Sequence, residues 1–310
     1  TRDLKLVERE IPKPEASEVL VKVLATGLNF ADLLMIDGTY QDTPQAPFTP
    51  GMEIAGQVVA IGEDVAGLEI GDFVMGVPGQ GGLAEFALIP AQDLQLAPAS
   101  MPPVQAAAFQ VAYGTSHLVL TRRAQLRVGE TLLVLGAAGG VGLTAVEIGK
   151  LMGAHVVAVA RGEHKLKIAE SAGADAVIDS DAPDISDTIA SLGRIDVVYD
   201  AVGGALGDTA LRAMSPEGRY LVIGFASGKL PILKPNHLLV KNHTVVGFYW
   251  GGYKRFQPNA MAESLQQLGE WHASGKIEPH VSHVLPLEDA QLGLRLLKER
   301  KSTGKIVITP

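Results

Sequence analysis

From residue 131 the chain alternates short, continuously apolar runs with helix-length segments: TLLVL, then a helix to Met152; HVVAVA, then EHKLKIAESA; then AVID, IDVVYD, RYLVIG and TVVGFYW. Strands that are apolar at every residue, rather than at every second one, are buried on both faces, and the intervening helices supply the cover. The pattern predicts an α/β fold with a doubly wound parallel sheet in the middle of the chain.

The flanks read differently. The first hundred residues carry short strands, EVLVKVLAT, EIAGQVVAIG, DFVMGV and AEFALIP, punctuated by Gly51, Gly56, Gly62, Gly67, Gly71 and Pro78. That spacing predicts a mostly antiparallel barrel. A helical patch follows Ser100, with Pro102 and Pro103 at its start. The last sixty residues return to mixed structure, with helices over roughly 259–273 and 287–298 and a closing strand in TGKIVIT. The middle block therefore reads as inserted into a second, outer domain.

Composition narrows the function classes. The 310 residues are 47% hydrophobic and 19% charged, with a net charge of −8, the balance of a folded chain without a large nucleic-acid footprint or anionic-membrane surface. No cysteine is present, which removes disulfides, thiolate chemistry and cysteine metal sites, and fits a reducing compartment. No apolar run reaches the length of a membrane span, so the expected location is the cytoplasm. The first residue is Thr1, which suggests a chain that starts partway into a longer product.

After TLLVL comes GAAGGVG. Against the dinucleotide fingerprint G-x-G-x-x-G, Ala137 fills the first place, Gly139 the second and Gly142 the third, with Ala137 serving only if its φ is negative. The motif follows a strand and opens a helix, whose N-terminal amides suit a pyrophosphate. The next strand decides between cofactors. A site for NAD wants a carboxylate at its end, and one for NADP an arginine near the 2′-phosphate. Here the strand ends in Ala160-Arg161, while Glu163 falls in a helix N-terminal turn. Arg161 and Lys165 share one side if the helix starts near 161, and the pair suits a phosphate dianion. Lys165 equally suits a solvated helix face. The expected cofactor is NADPH.

At this point the chain resembles a known family, the medium-chain dehydrogenase/reductases, in their zinc-free, zeta-crystallin-like NADPH:quinone oxidoreductase branch. The resemblance is carried by GLNFADLLMIDGTY (27–40), PFTPGMEIAGQVVAIGEDVAGLEIGD (47–72), GAAGGVG (136–142), SAGADAVID (171–179) and TGKIVI (303–308). It implies a discontinuous GroES-like catalytic domain, residues 1–109 and 252–310, around a Rossmann NADPH-binding domain, residues 110–251. It implies no metal site, because Asn29, Met52 and Val111 stand at or near the positions of zinc ligands in metal-dependent relatives. It also implies pyrophosphate contacts from Ala138, Gly139, Gly140 and Val141, and 2′-phosphate contacts from Arg161, Lys165 and Ser180, the last replacing a common tyrosine. Gly203, Phe225, Ala226, Phe248, Tyr249 and Trp250 match nicotinamide-side contacts at strand ends, and Lys305 matches a C-terminal cofactor contact. Asn29, Asp32, Tyr40 and Thr115 match residues near the nicotinamide. Phe248, Tyr249 and Trp250 also suit plain core packing, and Glu53 suits a structural role.

Hydride transfer asks for alignment, a dry pocket and hydrogen bonds to the oxygen that gains charge. Asn29, Tyr40 and Tyr249 are the candidate catalytic donors. Three readings stay open: an NADPH-dependent reductase of quinones, a reductase of the C=C bond of enones, enals or enoyl thioesters, and a non-catalytic NADPH-binding sensor or structural protein. The expected partner is a small-molecule acceptor, without nucleic acid or membrane. TVVGFYW, as an apolar edge strand, suits pairing in a homodimer.

Overall fold

Strand β1 (Glu18–Leu28) is buried along most of its length, and its Val19, Val21 and Val23 face a core shared with Ile54, Val58, Val74, Ala87 and Ile89. Each such side chain contributes roughly 1.5–3 kcal/mol by leaving water. In this computed structural model, which describes residues 4–310, β1 is the hub of the first sheet. It pairs antiparallel with β2 (Glu53–Ile61), which continues to β3 (Phe73–Gly76); β4 (Phe86–Pro90) pairs with β1, and β5 (Leu94–Leu96) with β3. Between β1 and β2 runs a helix, Phe30–Asp37, that the turn-rich reading of the sequence did not include. A capping box starts it, with Asn29 as N-cap and Asp32 reaching back, and Gly38 ends it with φ of 73°, a left-handed conformation that costs glycine little.

Six strands follow: β6 (Thr131–Leu135), β7 (His155–Ala160), β8 (Ala176–Asp179), β9 (Val197–Asp200), β10 (Arg219–Val222) and β11 (Thr244–Gly247). All their pairings are parallel, in the order β11-β10-β9-β6-β7-β8. Leu133, Leu135, Val157, Val159, Val198 and Tyr220 fill one core of this sheet. The apolar runs of the sequence are these strands, and the doubly wound expectation holds.

The chain then returns to the first sheet through β12 (Val281–Pro286) and β13 (Lys305–Thr309), which pair in parallel with each other, while β13 pairs antiparallel with β1. Two compact units result: Thr1–Val111 with Glu278–Pro310, and Ala112–Ile277. Residues 252–277 were expected with the outer domain. They belong instead with the parallel sheet's unit, because the helices Trp250–Phe256 and Pro258–Ala273 pack there. Trp250 lies against Gly114, whose added Cβ would fall 2.5 Å from the indole nitrogen. His117 bonds Ser264 at 2.7 Å and meets Trp271 edge-on.

Candidate cofactor and active site

The strand order reverses between β6 and β9, so the turn after β6 stands at the switch point where open α/β sheets bind ligands. The left-handed residue of that turn is Gly136, with φ of 74°, not Ala137, which follows it fully buried. The fingerprint is thus shifted by one residue in its first place. Its third place behaves as expected: a Cβ on Gly142 would come 2.2 Å from the Gly136 carbonyl oxygen, so helix and strand pack this closely only on glycine. At Gly139 the nearest atom to an added Cβ is 3.4 Å away. Nothing within the protein requires glycine there, as expected where a ligand's phosphate approaches the backbone. Gly139 also N-caps the helix Gly140–Leu151 without a side-chain hydrogen bond, so the first-turn amides remain for an anion. The residues fit a dinucleotide pyrophosphate.

Beneath this loop lies a buried hydroxyl network that the sequence reading missed. Ser116 Oγ donates to the Val141 carbonyl at 2.9 Å and lies 2.8 Å from Thr144 Oγ1 and 2.9 Å from the Tyr199 hydroxyl. Thr144 Oγ1 also reaches the carbonyls of Ala112 and Val141, both at 3.1 Å. Burial pushes the Tyr199 hydroxyl pKa up, so it stays a donor. Thr115, a predicted cofactor residue, is buried one position before Ser116 on the helix Gln110–Leu118.

The other predicted contacts of this unit sit at the C-terminal ends of parallel strands. Arg161 follows β7 and Ser180 follows β8, where the Ser180 amide donates to the Ala160 carbonyl. Gly162, at φ 75° and ψ 156°, separates Arg161 from the helix Glu163–Ser171. Arg161 therefore precedes that helix instead of sharing a face with Lys165, its third residue. The Arg161 Nε donates to Asp181 Oδ1 at 3.1 Å. Gly203, with φ of 70°, caps the helix after β9. Asp200 Oδ1 accepts the amides of Val202 and Gly203 at 2.8 Å each, and its other oxygen accepts the Tyr220 hydroxyl. Burial raises the Asp200 pKa. Phe225 and Ala226 follow β10, with Phe225 exposed. Phe248 and Tyr249 follow β11, and the Phe248 ring packs 5.3 Å from that of Tyr253. Trp250 is buried, and its indole N–H has no acceptor among the described residues.

In the other unit, Asn29, Asp32, Glu53 and Lys305 form one buried cluster. The Lys305 ammonium lies 2.6 Å from Asn29 Oδ1 and 2.9 Å from Glu53 Oε2. Asn29 spends both amide protons, on Glu53 Oε2 at 3.0 Å and on the Gly27 carbonyl at 3.2 Å. Glu53 Oε1 takes the Val111 amide at 2.9 Å. As it stands, Asn29 is therefore not a free donor. The residue types signalled polarity at these positions, but contacts spanning 252 and 276 positions of sequence carry no local signature. Asp32 accepts the Asn29, Gly51 and Met52 amides, yet burial outweighs these bonds and raises its pKa to about 6. Tyr40 lies in the loop beyond Gly38, where its carbonyl accepts the Thr43 hydroxyl at 2.7 Å.

Among the described residues, no group of three or more His, Cys, Asp or Glu is arranged to hold a metal ion. His280 lies 2.9 Å from the Thr303 hydroxyl and His283 2.9 Å from that of Ser282. No helix among the described residues is long and apolar enough to cross a membrane.

A mixed, mostly antiparallel β unit and a parallel sheet with a glycine loop at its switch point define a two-part nucleotide-dependent dehydrogenase or reductase. Two family models match accordingly: the alcohol dehydrogenase GroES-like domain over residues 15–99 and the zinc-binding dehydrogenase over residues 140–267. The chain belongs to the medium-chain dehydrogenase/reductase superfamily, in its zinc-free quinone oxidoreductase-like family. It is 40% identical over 298 residues to quinone oxidoreductase-like protein 2 homolog of Nematostella vectensis, covering 94% of this chain and 81% of the relative. Among solved structures it resembles Escherichia coli quinone oxidoreductase, crystallised with NADPH, at 28% identity and a TM-score of 0.91, over 98% of this chain and 95% of that one. It also resembles CurK enoyl reductase, at 27% identity and a TM-score of 0.85, over 98% and 94%.

Proposed function

We propose that this chain is an NADPH-dependent reductase of quinones that works without a metal ion. The observation that carries the cofactor choice is the guanidinium of Arg161 at the end of β7, one strand from a glycine loop whose helix amides are uncapped. The family supports the acceptor class, since relatives along nearly the whole chain bear the quinone oxidoreductase name.

Bound at the glycine loop, NADPH supplies the hydride. The backbone of Ala138, Gly139, Gly140 and Val141 holds the pyrophosphate, while Arg161, with Lys165 and Ser180, recognises the 2′-phosphate. Thr115, Gly203, Phe225, Ala226, Phe248, Tyr249 and Trp250 line the nicotinamide side. The hydroxyls of Tyr40 and Tyr249 are the donors proposed for the acceptor oxygen. Asn29 has a different part from the one expected of it. With both amide protons committed, it holds the Lys305 ammonium, which has three hydrogens and two acceptors and keeps one N–H for a ligand.

The likeness to CurK enoyl reductase favours a second reading, reduction of an activated C=C bond on the same hydride. NADPH oxidation followed against a panel of quinones and α,β-unsaturated carbonyls tests both. Turnover of quinones supports the first reading, turnover of enones or enoyl thioesters alone replaces it by the second, and no turnover of any acceptor points to a non-catalytic NADPH-binding protein. Tyr249→Phe with unchanged turnover on every acceptor removes that hydroxyl from the mechanism.

A further inference from the structure

Strands β7 and β8 are paired so that Ala160 faces Asp179, which brings the residues just beyond them together. Asp179 Oδ1 accepts the amides of Gly162 at 3.2 Å and Asp181 at 3.0 Å, fixing both loops. Across this junction Arg161 Nε lies 3.1 Å from Asp181 Oδ1 and 3.1 Å from Oδ2. Both side chains are open to solvent, at 59% and 58% exposure. The two terminal nitrogens of the guanidinium have no acceptor among the described residues. Arg161 can thus offer these nitrogens to a phosphate while its Nε stays with Asp181.

We infer that Asp181 is a specificity-determining residue that offsets the charge of Arg161 and keeps the preference for NADPH over NADH small. This rests on the reading that Arg161 meets the 2′-phosphate. That phosphate carries roughly −1.5 to −2 charges at neutral pH, and a carboxylate bonded to the same guanidinium repels it. The alternative, that Asp181 helps by holding Arg161 in place, is weaker on these observations. An exposed ion pair orients little, whereas a full negative charge acts on the dianion over the whole junction. NADH has no phosphate at this position, so this repulsion does not act on it.

The test is titration of the full chain with NADPH and NADH, at low and high salt, in the natural protein and in Asp181→Asn, Asp181→Ala and Arg161→Ala. Asp181→Asn and Asp181→Ala are expected to bind NADPH about three- to fivefold more tightly, to leave NADH unchanged, and to make NADPH binding more salt-sensitive. NADPH binding that is unchanged or weaker in both variants, or NADH tightened equally, overturns the inference while leaving the Arg161 reading intact, provided Arg161→Ala abolishes the preference. If Arg161→Ala leaves the preference as it was, the reading itself fails and the inference falls with it. Asp181 is exposed, so melting curves matching the natural protein are expected and attribute any change to binding.

Discussion

The Lys305 ammonium and the Glu53 carboxylate form an ion pair of 2.9 Å with side-chain exposures of only 6% and 1%. It joins the last strand of the chain to β2, and Asn29 bridges the two charged groups. The polar centre of this unit is a set of hydrogen bonds between fixed partners that leaves one Lys305 N–H over, where the residue types alone suggested separate, available donors.

Breaking that pair from one side leaves a buried charge alone. Lys305→Met is expected to lower stability by about 3–5 kcal/mol, measured by urea unfolding. The double variant Lys305→Met with Glu53→Gln should recover most of the loss. Equal losses in the single and double variants would show that the charge pairing is not the cause.

Two buried groups give opposite pH dependences. The His117 pKa is lowered to about 4 by burial, so the unfolded chain binds the proton more readily. Its contribution to its unit is present above about 6.5 and is lost as the pH falls toward 4, by at most about 1.4 kcal/mol per pH unit. The Asp32 pKa is raised to about 6, so its contribution is present below about 3.8 and is lost as the pH rises through 6. Urea unfolding between pH 4 and 7 should show a flatter acid limb for His117→Asn, and loss of the opposite slope for Asp32→Asn.

The glycine loop separates a packing glycine from a ligand-facing one. Gly142→Ala places a Cβ against the Gly136 carbonyl and should cost about 1–3 kcal/mol together with NADPH binding. Gly139→Ala meets only an ordinary contact, so its melting temperature should stay near that of the natural protein while NADPH affinity falls. Equal thermal losses in both would refute the distinction.

The hydroxyl network under Val141 should preorganise the loop without reading the cofactor's phosphate. Tyr199→Phe and Ser116→Ala are expected to cost about 1 kcal/mol of stability each and to weaken NADPH and NADH by the same factor. A change in the ratio of the two affinities would contradict this role.

β11 is an edge of the parallel sheet. The Thr244 and Phe248 amides donate to Gly218 and Val222 toward β10, so the Val245 and Gly247 amides face away and can pair with a second copy. We propose a homodimer built on this edge, flanked by the exposed Leu239 and Val240. Sedimentation should give a dimer for the natural chain and a folded monomer for Val245→Pro, which removes an outward amide. A monomer in the natural chain at micromolar concentration would end the proposal.

Much of this was legible in one dimension. Burial on both faces of a strand demands unbroken apolar residues, so TLLVL, HVVAVA and AVID declared the parallel sheet, and a glycine loop between strand and helix declared the nucleotide site. The helix Phe30–Asp37 had its own mark in Asn29, Asp32 and Gly38, one a pattern search at its caps would find. Other features depended on which distant groups share a buried space. Periodicity records that a residue is buried but not beside what. Gly136 takes the left-handed turn, and its carbonyl lies where a Cβ on Gly142 would fall. Helices 250–273 joined the second unit because Trp250 and Ser264 found Gly114 and His117. Asn29 gave its protons to Gly27 and Glu53 and its oxygen to Lys305, and Arg161 gained a carboxylate neighbour in Asp181, because strand pairing set β2 and β13 beside β1 and the end of β8 beside that of β7.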